Sequence, residues 1–172
     1  EDTIIAILPE ENKLLIYSDA EGSTWLLDLQ SGNEIQLFDW PHLKHLLLSP
    51  DAKTIFFGSD DSVWIIDLLT GENFFNLSSL VLYDMEHINT YPLAISPDSK
   101  IVATYATGKS DTDFERRVLR FWDMGSGRLI RTLPINTYHP ILAFSPIGKA
   151  LVWGGDYGLI YLWETDEIFS EP

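Results

Sequence analysis

The 172-residue chain has no cysteine. That excludes disulfides and thiolate metal sites, so its stability must come from packing and hydrogen bonding alone. Long apolar runs are equally scarce. Stretches such as Leu46-Leu47-Leu48 last only a few residues, against the roughly 20 that a membrane-crossing helix needs. No membrane partner is expected. The chain opens Glu1-Asp2 rather than with a basic segment and an apolar core, so no secretory signal is read there, and the expected compartment is the cytoplasm. Positive charge is the third shortage, with 11 Lys and Arg against 26 Asp and Glu, net −15. Such a surface repels a phosphate backbone, which argues against nucleic acid as a partner. The cations are also unevenly placed. Residues 1–100 carry a net charge of −13, residues 101–172 only −2, and all five arginines fall between Arg116 and Arg131. A cationic surface patch, if there is one, is expected there.

What the chain does have is apolar mass: 45% hydrophobic residues, 13% aromatics and six tryptophans, a composition for a packed core rather than for disorder. This mass is arranged as a unit that recurs four times. Each unit has an apolar strand, a proline with a short polar turn, a second apolar strand, and a third that ends in a carboxylate. The turn prolines are Pro9, Pro50, Pro97 and Pro146, and the carboxylates are Asp28, Asp67, Asp123 and Glu164. Carboxylate spacings of 39, 56 and 41 residues, in units built only of strands, are the signature of propeller blades. In the second unit the pattern predicts strands over residues 43–48, 54–57, 63–68 and 73–77. Runs such as Ile55-Phe56-Phe57 and Trp64-Ile65-Ile66 do not alternate with polar residues, as expected of sheets buried on both faces. Three units place Gly four residues after the carboxylate: Asp28 and Gly32, Asp67 and Gly71, Asp123 and Gly127. Each pair is read as the structural core of a hairpin turn, the glycine supplying a positive φ and the aspartate accepting from nearby amides.

At these residues the chain resembles the WD-repeat β-propeller family. The segment from Arg120-Phe121-Trp122-Asp123 to Leu133 is similar to the family's third strand, turn and fourth strand, and Ser96-Pro97-Asp98-Ser99-Lys100 and Ser49-Pro50-Asp51-Ala52-Lys53 to its first turn. The Trp-Asp pair is literal only at Trp122-Asp123, and the family's Gly-His pair is missing. The resemblance implies an all-β fold, a propeller portion of four consecutive four-stranded antiparallel blades in an incomplete ring. The whole of residues 1–172 is expected to form one propeller segment, with blades over about 3–40, 41–78, 90–134 and 138–169 and an extended connection at 78–90. The last unit, ending Glu167-Ile168-Phe169, leaves little room for a fourth strand.

Catalytic constellations are weak throughout the sequence, and no enzymatic activity is expected. The periodic carboxylates belong to equivalent hairpins, and Gly125-Ser126-Gly127 is a turn rather than a nucleophile elbow. His42 and His45, three apart on a predicted strand, point to opposite faces and do not converge on a metal. His87 and His139 precede first strands and are expected to hydrogen-bond within loops. Asp111, Asp113 and Glu115 alternate like the start of a calcium loop, but Arg116 and Trp122 occupy the positions that an EF-hand reserves for Gly and Glu. Neither a metal nor a cofactor is expected. Two insertions carry more information: about eight extra residues around 107–116 and a longer connection around 78–90. Both leave the same face of the blades, so they should meet on one rim, and extended loops on a rigid scaffold are where binding usually sits. The expected partner site is therefore Tyr83, Met85 and His87 together with Lys109, Phe114, Arg116 and Arg117, with protein partners, acidic or phosphorylated segments among them. The resemblance implies a non-catalytic interaction scaffold. Two other readings stand beside it: a propeller that supports or gates a hydrolase-type domain outside this chain, and a half-ring completed by self-association or by further blades.

Overall fold

The computed structural model describes residues 2–8, 11–18, 21–39, 44–59, 62–68, 70, 72–77, 85–110, 115–156 and 158–169. These form fifteen strands and one short helix. The first sheet contains β1 (Asp2–Leu8), β2 (Lys13–Ser18), β3 (Ser23–Asp28) and β4 (Glu34–Asp39). The second contains β5 (Lys44–Leu48), β6 (Thr54–Ser59), β7 (Ser62–Asp67) and β8 (Asn73–Asn76). The third contains β9 (Met85–Ile95), β10 (Ile101–Ser110), β11 (Glu115–Asp123) and β12 (Leu129–Pro134). The fourth contains β13 (Ile141–Phe144), β14 (Ala150–Gly154) and β15 (Ile160–Glu164), followed by helix α1 (Thr165–Phe169). Each sheet runs in chain order and every pairing is antiparallel. This is β-propeller architecture. Among the described residues, no helix is long and apolar enough to cross a membrane.

The non-alternating strands are explained by what their two faces touch. Ile55, Phe57 and Ile66 pack with Leu8, Leu15 and Leu26 of the first sheet, while Phe56, Val63 and Ile65 pack with Val102 and Trp122 of the third. Successive side chains of one strand thus enter two different inter-sheet cores. A third core joins Ala103, Tyr105, Leu119 and Phe121 to Leu142, Leu151 and Trp153 of the fourth sheet. The edge strand β9 lies against β5 and β13, the first strands of the flanking sheets.

The turns repeat as closely as the strands. In the first turn the serine hydroxyl accepts from the amide that restarts the chain, at 3.0 Å for Thr54 N to Ser49 Oγ, 2.8 Å for Ile101 N to Ser96 Oγ and 3.0 Å for Ala150 N to Ser145 Oγ. In the later turn, Asp28 Oδ1 accepts from the amide and hydroxyl of Ser31, and Asp123 Oδ1 does the same with Ser126. Both aspartates are held below the usual carboxylate range by those bonds. Gly32 and Gly127 take φ of +72° and +66°, the left-handed region that glycine enters without a Cβ clash. Asp67 Oδ1 accepts from Thr70 N; Gly71 lies outside the described residues.

The fourth sheet differs from the four-stranded expectation: it has three strands, and α1 follows where a fourth would run. Thr165 and Ile168 are buried, and Phe169 meets the Phe121 ring edge-on at 5.4 Å. Arg131 of β12 donates to the carbonyl oxygens of Glu167 and Ile168. An arginine at a helix C-terminus satisfies carbonyls that have no intrahelical partner. The residues after the carboxylate therefore fill the core between sheets three and four as a helical turn.

Candidate functional site

The described parts of the two insertions, 85–90, 107–110 and 115–116, lie together as strands rather than loops. β9, β10 and β11 have 11, 10 and 9 residues, and every other strand has four to seven. Lys109 pairs with both Glu86 and Glu115, Ser110 with Met85, and Gly108 with Arg116. Four extra residues per strand carry the third sheet about 13 Å past its neighbours. The polar stretch Thr107-Gly108-Lys109-Ser110 gives no apolar signal for a strand, yet ladder pairing satisfies its backbone on both sides.

Of the seven expected partner residues, Tyr83 and Phe114 and the side chains of Met85 and His87 lie outside the described residues. So does the segment with Asp111 and Asp113. Lys109 and Arg116 are exposed, and neither is without a polar partner. Arg117 faces inward. Its side chain is 9% exposed, it pairs with Glu115, and its guanidinium lies 3.5 Å over the Tyr138 ring. Tyr138 is 48% exposed, and a cation–π contact at such a site contributes about 0.5–1 kcal/mol. Arg117 thus ties β11 to the connection leading into the fourth sheet.

The expected arginine patch is therefore divided. Arg120 is 3% exposed beside Trp122, with burial holding its pKa down. Arg128 follows the β11–β12 turn, and Arg131 holds α1. Among the described residues, only Arg116 and Lys109 put exposed cations on the extended end of the third sheet.

Two polar arrangements brace the sheets, and the sequence signalled neither fully. Trp122 Nε1 donates to Thr104 Oγ1 at 2.9 Å, both groups buried. In the β14–β15 turn, Asp156 accepts from Tyr138 N at 2.8 Å, Thr137 Oγ1 at 3.1 Å and His139 N at 3.3 Å, and its Oδ1 lies 2.9 Å from His139 Nδ1. This carboxylate clamps the connection before β13, and His139 takes the loop role expected of it. The contact with His139 and the Tyr138 amide hold Asp156 far below the usual carboxylate range. A folded-state pKa below the unfolded 3.8 means that the clamp stabilises the chain fully above that value and is lost as pH falls. The melting temperature of wild type is accordingly expected to drop more steeply below about pH 4 than that of Asp156→Asn. Parallel acid profiles for the two proteins would show that the clamp does not form.

His42 lies outside the described residues, and His45 lies on β5. Its ring stacks on Tyr91 at 4.2 Å, and Tyr91 sits 5.1 Å from Tyr105. Burial and then Tyr105 push the Tyr91 hydroxyl up to about 12. Among the described residues, no group of three or more His, Asp or Glu could hold a metal ion.

No family model matches the chain. It is 23% identical over 148 residues to the pre-rRNA-processing protein crb3/ipi3 of Schizosaccharomyces pombe, covering 83% of this chain and 33% of that protein. Among solved structures it superposes on oligogalacturonate lyase from Vibrio parahaemolyticus with a TM-score of 0.68, at 18% identity over 91% of this chain and 47% of the other. Against hydrazine synthase of Kuenenia stuttgartiensis the TM-score is 0.61, at 20% identity over 86% and 41%. Against TolB from Acinetobacter baumannii it is 0.59, at 17% identity over 88% and 38%. The chain spans about one third of the curated relative and under half of these structures, and the likeness to them is one of fold: the β-propeller.

Proposed function

We propose that this chain is a non-catalytic, WD-repeat-type propeller segment that acts as a protein-interaction scaffold. Its principal partner site is the projecting end of the third sheet. The observation that supports this most is the joining of the described parts of both insertions into one three-stranded extension, where Lys109 and Arg116 stand exposed on an otherwise acidic chain. Paired strands hold those cations on a rigid frame, so a partner binds without ordering a loop. Arg116 offers a planar, bidentate fork to a carboxylate or phosphate, and acidic or phosphorylated protein segments are the matching chemistry. The repeat-period carboxylates Asp28 and Asp123 are engaged by their own turns, which fits a scaffold better than an enzyme. The similarity to a pre-rRNA-processing protein favours work inside a processing assembly, with contacts made through protein.

Capture experiments from native lysate test this, comparing wild type with Lys109→Glu/Arg116→Glu and with Arg128→Glu at the opposite end. The expected result is loss of at least one abundant partner in the rim variant and an unchanged set for Arg128→Glu. If a folded Lys109→Glu/Arg116→Glu protein retains every partner, the rim is not the site.

A further inference from the structure

We propose that the junction between the second and third sheets binds a small anion, of halide size, on Arg120 and Thr104. Three residues before the terminal carboxylate, the other sheets carry Trp25, Trp64 and Tyr161. The third sheet has Arg120 at that place. A permanent cation thus stands where its three counterparts are aromatic. Arg120 and Trp122 lie two apart on β11, so both side chains leave the same face, the one that packs on Phe56, Val63 and Ile65 of the second sheet. Arg120 is 3% exposed, and its Nη2 is buried with no hydrogen-bond partner. A guanidinium does not shed its proton to escape such a place. Burial acts on it with no charged neighbour to offset the effect, and a buried charge without a counter-charge is strongly unfavourable.

A second buried donor faces the same place. Thr104 stands directly opposite Arg120 in the β10–β11 ladder, which sets their Cβ atoms about 4.5–5.5 Å apart on one face. Thr104 is 0% exposed, and among the described residues its hydroxyl makes one hydrogen bond, accepting from Trp122 Nε1 at 2.9 Å. Its own hydrogen is left to donate. Two buried donors, one of them fully charged, therefore converge without an acceptor. A water molecule could accept from both, but its two hydrogens would then point into apolar side chains and the charge would stay uncompensated. An anion accepts both bonds and donates none. A guanidinium is also slimmer than the indole that Trp25 and Trp64 place at this position, and a halide-sized ion makes up the difference in volume. Both sheets of the junction are described, and Arg120 is enclosed between them whatever lies beyond the first or fourth sheet. The net charge of −15 repels anions at long range, so binding is expected to be modest and to gain from screening.

Thermal unfolding in sodium chloride, sodium bromide and sodium gluconate at one fixed ionic strength tests the proposal, since constant ionic strength removes the screening effect. Wild type is compared with Arg120→Trp, which installs the residue found at the same position of the first two sheets, and near-ultraviolet circular dichroism checks the fold. The wild-type melting temperature should rise by about 3 °C when chloride or bromide replaces gluconate. Arg120→Trp should show no such rise, and Thr104→Val, which keeps the charge but loses one donor, a smaller one. Chloride NMR line width reads the same site without any variant: wild type should broaden the resonance, and bromide should relieve the broadening by competition. An equal rise in wild type and folded Arg120→Trp would mark a general salt effect and overturn the proposal. So would a wild type that neither gains stability from halide nor broadens the chloride line, because Arg120 would then be served by water alone.

Discussion

Gly58→Ala is expected to destabilise the protein by about 2–3 kcal/mol, read as a lower midpoint in urea unfolding. Gly58 lies on β6, where the second sheet meets the third. A Cβ there would stand 2.8 Å from Tyr91 Cβ, 2.9 Å from the Thr90 carbonyl oxygen and 3.0 Å from Tyr91 Cα. These are backbone and near-backbone atoms, so no flexible side-chain end can swing away. Tyr91 cannot retreat either, being held between the His45 and Tyr105 rings. The added methyl therefore forces the two sheets apart over a core that includes Phe56, Ile65 and Trp122. Gly125→Ala is the matched control. Its Cβ would meet nothing closer than Asp123 Oδ1 at 3.6 Å, and its effect should stay within about 0.5 kcal/mol. Equal midpoints for Gly58→Ala and wild type would mean that sheets two and three are not seated as described.

Replacing Trp122 should cost more. The side chain is 1% exposed, fills the core between sheets two and three, and donates to Thr104 Oγ1. Truncation to alanine removes a full buried aromatic and leaves a cavity in packed surroundings, about 4 kcal/mol. The hydrogen bond separates from the packing in a cycle of smaller changes. Trp122→Phe keeps much of the volume but strands the Thr104 hydroxyl, which is 0% exposed, at about 1–3 kcal/mol for an unsatisfied buried group. Adding Thr104→Val removes the stranded hydroxyl and should recover about 1 kcal/mol of that loss. If the double variant is no more stable than Trp122→Phe, the indole–hydroxyl bond carries no weight.

Architecture was legible in the sequence because it repeats. One proline turn says little, but four in register with four terminal carboxylates mark equivalent places in equivalent sheets. Strands such as Ile55-Phe56-Phe57 also announced burial on both faces before any partner was known. The helix after Glu164 was not legible in that way. The absence of a turn glycine at position 168 signalled that no ordinary fourth strand fits there, yet the stabilising contact comes from Arg131, more than thirty residues earlier. Local pattern cannot show it. The rim was half visible. Counting residues located both insertions, but their strand form rests on pairing between segments whose sequence is polar. Arg117 misled for a related reason, since a charged residue reads as exposed until Glu115 and Tyr138 are seen around it. The Asp156 clamp left one trace, a histidine ahead of a first strand. The carboxylate that answers it is 17 residues downstream.

Arg131 has a consequence for how the chain bears load. A pull on the chain just after Phe169 reaches α1 first, and α1 is fastened to β12 as well as following β15. Tension is then shared with the third sheet instead of peeling β15 from β14 one rung at a time. Both bonds to α1 resist before β15 can unzip from β14, so the third sheet braces the fourth.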